Sequence, residues 1–330
     1  MTTGIVAVAM SDDLRHRLIS DRDWDRLAAV AEVRPVPDAA ADPGAVDGAD
    51  VCITGWDTPS LPFSWLVGGD RPVLVAHTGG SVRHLVPAAA LDHGVRITQV
   101  AAVLAEAVAE FAVMSIIAGL RDAVSFATAM RAGESWAALA ARPPGRLLRD
   151  QVVGIVGASR TGRATLRRLR PFGCHCLVYD PFIDDVEAAG LGAQRIDLPA
   201  LLRAADVVSL HAPVLPETRG MIGAAEIDAL RPGALVVNTA RSALVDSDAL
   251  LTAARAGRVR VMTDVFDTEP LPPDDPWRHC DGVVATPHIA ALTAETLRDQ
   301  GAVTVDEVLR FLAGKPLEHE MSRAAYDTYA

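Results

Sequence analysis

The sequence predicts an α/β protein of two doubly wound parallel-sheet domains, and three observations lead there. Half of the 330 residues are apolar while aromatics make up only 5%, with Ala, Val and Leu dominant; this suits helices packed on parallel strands better than a β-sandwich. Short apolar runs of strand length alternate with amphipathic or Ala-rich stretches along the chain. The alternation restarts after a Gly-containing loop at 145, and the length is that of two ordinary domains.

Taken in order, residues 1–10 lack a basic n-region and a small-residue cleavage site, so 4–10 reads as a first strand. Further strands are expected at 50–55, 72–76 and 95–100. The longest apolar run, 100–120, contains Glu106 and Glu110 and is followed by Arg121 and Asp122. It therefore fails as a membrane span and is expected to be a long, largely buried helix. Six more strands are expected near 152–156, 175–179, 206–210, 234–238, 259–263 and 282–285, separated by helices such as 162–169 and 246–256.

The net charge of -11 leaves no footprint for nucleic acid or for a polybasic membrane patch, so small molecules are the expected partners. Cys52, Cys174, Cys176 and Cys280 lack CxxC spacing and read as reduced thiols of a cytoplasmic protein. His77, His84, His93 and His279 do not cluster with carboxylates at chelating spacing, so no metal is expected.

Open α/β sheets gather their chemistry at the carboxyl ends of strands, and a glycine turn, Asp180, His211, Arg241, Asp264 and His288 each follow a predicted strand. From Val152 to Gly162 the chain reads as a buried strand, a tight turn and a helix start. Gly157 permits the bend, Gly162 lets the helix pack close, and the N–H groups around Arg160 and Thr161 would face a pyrophosphate at the positive helix end. This is the pattern of a Rossmann dinucleotide site, with an ordinary strand–turn–helix packing motif as the alternative. Ser159 stands where the middle glycine is usual. Its Cβ could hold the backbone off the phosphates, or its hydroxyl could donate to them. Asp180 lies where an acidic residue takes the ribose hydroxyls and would repel a 2′-phosphate, which favours NAD over NADP.

Arg241, Glu269 and His288 follow in that order at the edges of apolar runs. A cation that can fork onto a carboxylate, then a carboxylate, then an imidazole is a kit for reducing the carbonyl of a 2-oxo acid. Singly, the Arg reads as a solvated charge, the Glu beside Pro270 as a turn former, and His211 as a structural histidine. Together the three are expected to be catalytic.

With Ala109-Glu110, Leu210-His211-Ala212-Pro213, Asn238-Thr239-Ala240-Arg241, Asp264-Val265-Phe266 followed by Glu269-Pro270, and Thr286-Pro287-His288-Ile289-Ala290, the chain resembles the D-isomer-specific 2-hydroxyacid dehydrogenase family. The resemblance is strongest from about Ala101 to Ala291. It implies an NAD-binding Rossmann domain over 101–291 and a smaller, flavodoxin-like substrate domain built from 1–100 and 292–330. It further implies hydride transfer between NAD(H) and a small D-2-hydroxy or 2-oxo acid. Arg241 would pair with the substrate carboxylate and carbonyl oxygen, His288 would be the general acid and base, and Glu269 would orient and charge-stabilise that imidazole. The resemblance places Asp264, Thr239 and Ala240 around the nicotinamide, and His211, Ala212 and Pro213 beside the adenosine half. Thr218, His288 and Ala290 join the cofactor's surroundings, and backbone N–H groups of Gly79, Gly80 and Ser81 meet the substrate carboxylate. A non-catalytic NAD(H) sensor resembling the superfamily's transcriptional corepressors is the alternative function. By the same analogy, the long helix after Val100 and the loop around Trp136 would form a homodimer.

One departure bears on substrate. Where many relatives carry an acidic residue after the carboxylate-binding glycines, this chain reads Ser81-Val82-Arg83-His84. A basic pair there could meet a second anionic group, or Arg83 could face solvent. Trp56, after another strand, could line the same cleft or cover the core.

Overall fold

A computed structural model describes residues 4–68 and 73–329; residues 1–3, and position 72 at the start of one predicted strand, lie outside the described residues. The chain forms two compact units, Met1–Leu104 with Leu292–Ala330, and Ala105–Ala291.

Among the described residues the first unit has five strands, β1 (Gly4–Ala9), β2 (Ala31–Pro35), β3 (Val51–Thr54), β4 (Leu74–His77) and β5 (Arg96–Gln99). They run parallel in the order β2-β1-β3-β4-β5. Because successive side chains point to opposite faces, each strand feeds two cores. Val6, Val8, Ile53 and Leu74 pack with Leu14, Leu18, Leu27, Val305 and Val308 of the helices Asp12–Leu18, Asp21–Ala28 and Ala294–Leu312. Ala7, Ala9, Cys52, Val75 and Ile97 pack on the other side with Trp65, Leu66, Ala90 and Tyr326. Ser11, Ser20 and Thr293 start the three helices of the first face, each hydroxyl accepting an N–H of the first turn. A Cβ on Gly301 would lie 1.7 Å from the Leu18 carbonyl oxygen, so only glycine lets the helix Ala294–Leu312 approach that closely. The C-terminal segment then runs antiparallel along β5, with Thr98 bridged to Glu320 and the Met321 N–H donating to Ile97 O at 2.8 Å. The buried Glu307 carboxylate accepts the N–H groups of Glu318 and His319 at 3.0 and 2.9 Å, fixing the approach.

The second unit has seven strands among the described residues, β6 (Val152–Val156), β7 (His175–Tyr179), β8 (Gln194–Arg195), β9 (Val207–Leu210), β10 (Ala234–Asn238), β11 (Val259–Thr263) and β12 (Val283–Ala285). All are parallel, in the order β12-β11-β10-β9-β6-β7-β8. The direction of winding reverses at β6, so a crevice opens at the carboxyl ends of β6 and β9, where ligands of such sheets bind. The sequence predicts four and six strands; β2 and β8 are the additions, and both are edge strands.

The helix Ala101–Leu120 is long and apolar enough, by length and composition, to cross a membrane. Glu106 and Glu110 argue against a span, and the sequence predicts a largely buried helix instead. Only about a third of it is buried, less than expected: Ile116 and Leu120 are fully buried with Ile155, Val237 and Met262 on one face of the second sheet, while Glu106, Glu110 and Met114 are exposed. Glu106 meets Arg167 and Arg168 at 2.7 and 2.6 Å.

Candidate functional site

The glycine turn is set by contacts that only glycine permits. Gly157 has φ 98°, and a Cβ there would lie 2.5 Å from Ala212 N. At Gly162 a Cβ would lie 2.0 Å from Gly157 O, so the helix Arg160–Leu169 begins in direct contact with the turn. Asp180 Oδ2 accepts the Ala158 N–H at 2.7 Å, and Oδ1 accepts that of Phe182 at 2.8 Å. The carboxylate expected to take ribose hydroxyls thus also ties the end of β7 to the turn after β6. Arg163, which sequence reasoning missed, braces the turn by donating to Ala158 O at 2.7 Å and to Glu187 at 2.5 Å. Ser159 is the helix cap, its Oγ accepting from Gly162 N at 3.3 Å. The N–H groups of Arg160 and Thr161 have no protein acceptor among the described residues.

His211, after β9, is buried and shares a 2.9 Å hydrogen bond between Nε2 and Ser209 Oγ. Burial pushes its pKa down to about 4, so the ring is neutral at pH 7. Its Nδ1 is buried without a partner among the described residues. Ala212 lies against the glycine turn, and Thr218 Oγ1 donates to Pro213 O at 2.5 Å and accepts from Leu215 N at 2.8 Å, closing the loop between them.

Further along the same edge, Glu269 Oε2 lies 2.7 Å from His288 Nδ1, while Oε1 accepts the Phe266 N–H at 2.9 Å. Both side chains keep access to solvent, and Nε2 of the imidazole has no protein partner among the described residues. His288 sits at φ 52°, a conformation uncommon for a side-chain-bearing residue, in a loop held from below by Asp264. Buried Asp264 accepts from Thr286 Oγ1 at 2.6 Å and from the N–H groups of Ile289 and Ala290 at 2.9 and 2.8 Å. Expected beside the nicotinamide, Asp264 here carries the loop that presents His288. Desolvation lowers the Arg241 pKa from its ordinary value, and the Glu269 charge partly offsets that; a guanidinium stays protonated regardless. Its backbone is placed by Asn238, also missed as a site residue, whose Nδ2 donates to Arg241 O at 2.9 Å and whose Oδ1 accepts from Ala240 N at 3.1 Å. An Asn opening a turn was the available signal. Thr239 Oγ1, buried and without a partner among the described residues, borders a narrow recess with Phe111, Ser115, Met262, Asp264 and Thr286.

In the first unit, Gly79, Gly80 and Ser81 turn away from the end of β4, and their N–H groups have no protein acceptor among the described residues. The turn rests on buried His77: a Cβ on Gly79 would lie 2.4 Å from His77 Nε2, and His77 Nδ1 bonds Thr54 Oγ1 at 3.0 Å. Arg83 is exposed, as the solvent-facing reading expects, but it is not free. Its Nη2 donates to the carbonyls of Tyr326 and Asp327 at 3.1 and 2.8 Å, and its guanidinium lies over the Tyr326 ring, pinning the helix Arg323–Tyr329. Trp56 is about half exposed with Arg17 stacked 5.8 Å from its ring centre, so it neither covers the core nor stands free.

Residues 113–290 match the family model described as "D-isomer specific 2-hydroxyacid dehydrogenase, NAD binding domain". The chain belongs to that family. Among curated relatives of this dehydrogenase family, it is 33% identical over 310 residues to a D-3-phosphoglycerate dehydrogenase of Mycobacterium leprae, covering 92% of this chain and 58% of that one. It is 34% identical over 230 residues to a glyoxylate reductase of Korarchaeum cryptofilum, covering 68% and 69%. The chain spans between 33% and 58% of the length of the first D-3-phosphoglycerate dehydrogenases it matches. In fold it is similar to a glyoxylate reductase from Paecilomyes thermophila, with a TM-score of 0.83 over 98% of this chain and all of that one, at 24% identity.

The cofactor of this 2-hydroxyacid dehydrogenase domain is NAD, and the second unit's residues fit it. The Gly157 cradle has no room for a side chain, and among the described residues two N–H groups at a helix start and the buried His211 Nδ1 and Thr239 Oγ1 have no protein partners.

Proposed function

We propose that the protein is an NAD-dependent oxidoreductase that interconverts a small D-2-hydroxy acid and its 2-oxo acid. The observation that carries this reading is the 2.7 Å pair of Glu269 and His288, held on the Asp264-anchored loop.

Bound NADH supplies a hydride to the carbonyl carbon. Arg241 pairs with the substrate's carboxylate and carbonyl oxygen, drawing charge toward the oxygen as it becomes an alkoxide. His288 delivers a proton from Nε2 to that oxygen, and Glu269 at Nδ1 steadies the ring and offsets its charge. In the oxidative direction the same nitrogen takes the hydroxyl proton. Gly157, Ser159, Arg160, Thr161, Gly162, Asp180, His211, Ala212, Pro213, Thr218, Thr239, Ala240 and Ala290 surround the cofactor, with Asp264 as a positioning residue. The free N–H groups of Gly79, Gly80 and Ser81 receive the substrate carboxylate.

Relatives named for glyoxylate and for 3-phosphoglycerate leave open whether the substrate carries a second anion. Because Arg83 is engaged by two carbonyls, we favour a monoanionic 2-oxo acid, with Trp56 beside its side chain. We also propose a cytoplasmic homodimer. Its support is the free thiols, including Cys174 and Cys176 with sulfurs 3.8 Å apart, and the exposed Met114, Met130 and Trp136. Light scattering in solution checks the assembly.

The test is NADH oxidation against glyoxylate, hydroxypyruvate, pyruvate, phosphonopyruvate and bulkier 2-oxo acids, with Arg241→Ala and His288→Ala alongside. Turnover that both substitutions abolish supports the proposal. NADH binding without turnover on any of these acids moves the assignment to a sensor.

A further inference from the structure

Two cysteines of the second unit stand outside everything assigned above to cofactor and substrate. Cys174 precedes β7 and Cys176 is its second residue, so the two side chains share one face of the extended chain, and their sulfurs are 3.8 Å apart. Both belong to one core of the second unit: Cys176 is buried in it, while Cys174, at its edge, keeps partial access to solvent. Cys52 and Cys280 are buried in two other cores. The sulfur pair is asymmetric. Donation of the Cys176 S–H lowers the Cys174 pKa by favouring its thiolate, and the same bond, together with burial, raises that of Cys176. The accessible sulfur is therefore the nucleophile, with the sheltered one behind it. Ahead of Cys174 the chain has slack: Gly173 has φ 69° with open space around it, and Phe172 is exposed. From Cys174 to Asp180 the extended chain covers about 20 Å at about 3.3 Å per residue, which puts the pair at the opposite end of β7 from the cofactor edge.

We propose that Cys174 and Cys176 form a modification site for hydroperoxides, in which Cys174 attacks the peroxide and Cys176 resolves the product to an intramolecular disulfide. The Cys174 thiolate attacks one oxygen of hydrogen peroxide; an S–O bond forms, the O–O bond breaks, and the other oxygen leaves as hydroxide, which takes up the thiol's proton to become water. The Cys176 sulfur, giving up its own proton, then attacks the sulfenic sulfur; the S–S bond forms, the S–O bond breaks, and a second water leaves. Two thiols are oxidised by two electrons, and one peroxide is reduced to two waters. Strand geometry makes the product labile. Two residues of extended chain span about 6.6 Å, close to the longest Cα separation that a disulfide bridges, about 6.8 Å. The bond therefore closes under strain and is open to reduction by a low-molecular-weight thiol such as glutathione.

The experiment exposes the whole reduced protein to hydrogen peroxide, unfolds it in N-ethylmaleimide and weighs the tryptic peptide Leu169–Arg195, which holds both cysteines and no other. Expected is the loss of two hydrogens from that peptide with no maleimide on it, and uptake of two maleimides when glutathione is added before the label. Cys52 and Cys280, buried in other cores, should take the label throughout. In Cys176→Ser the sulfenic acid has no resolving thiol, so Cys174 should be trapped by dimedone and, without it, pass on to the sulfinic acid. In Cys174→Ser, Cys176 should remain a thiol under the same exposure. The mass of the unaltered protein's peptide decides the matter even if neither variant folds. An unchanged mass, a disulfide joining two copies of the chain, or Cys174 oxidised past the sulfenic acid while Cys176 still takes maleimide would each overturn the assignment. A disulfide that resists glutathione would overturn its lability.

Discussion

His288 and Glu269 are 19 residues apart in the chain, and Glu269 meets the ring nitrogen remote from the one offered to substrate, at 2.7 Å. The other Glu269 oxygen is occupied by the Phe266 N–H, so the carboxylate is fixed at both ends. Glu269→Gln keeps an acceptor for Phe266 but removes the charge that balances an imidazolium. Steady-state rates are expected to fall about a hundredfold in kcat, within the range of general acid–base contributions. NADH affinity, followed by fluorescence, should hold steady; a parallel loss of both would point to a collapsed site.

Asp264 satisfies three donors of the His288 loop while almost fully buried. In Asp264→Asn one amide edge presents donors to donors. The expected cost is about 2–3 kcal/mol of stability, read in urea unfolding, with kcat falling because His288 loses its placement. Unchanged stability would mean that the loop is held by other contacts.

Acid should weaken the fold through two histidines. Burial, aided by the nearby His84 and opposed by the bond to Thr54, takes the His77 pKa down to about 3; burial alone takes His211 to about 4. Above pH 6.5 both are neutral folded or unfolded, and their neutral burial costs nothing in protonation. As pH falls below 6.5 the unfolded chain binds protons that the native one refuses. Each residue then removes about 1.4 kcal/mol per pH unit, down to its folded value. Denaturant midpoints at pH 7.0, 6.0 and 5.0 should decline, and His77→Gln should flatten the slope even if it lowers the midpoint.

Arg83→Ala is expected to leave the preference among mono- and dianionic acids unchanged. It should speed amide hydrogen exchange across 323–329, because the guanidinium holds those carbonyls. A shift in substrate preference with unaltered exchange would restore Arg83 as an anion receptor.

The central strands were legible because their residues are buried on both faces and must be apolar, as in β9 and β10. The two strands missed lie at sheet edges, where Ala31-Glu32-Val33-Arg34-Pro35 and the exposed Gln194-Arg195 need no such run. At the site, the pairing of Glu269 with His288 was readable from the resemblance carried by their motifs. The partners of Arg83 were not readable, since the carbonyls that engage it lie 243 and 244 residues away. The work of Asp264 was equally hidden: a sequence shows a carboxylate after β11 but not which N–H groups fold back onto it.

The helix Ala294–Leu312 that buries Leu18 and Ile19 comes after all of the second unit in the chain. During synthesis the first hundred residues therefore leave the ribosome without the element that seals one face of their sheet. Val6, Val8 and Ile53 have their partners Val305 and Val308 only once the inserted unit has been made. The nascent chain holds an unsealed apolar face through that interval, the stage at which a holdase-type chaperone would find it.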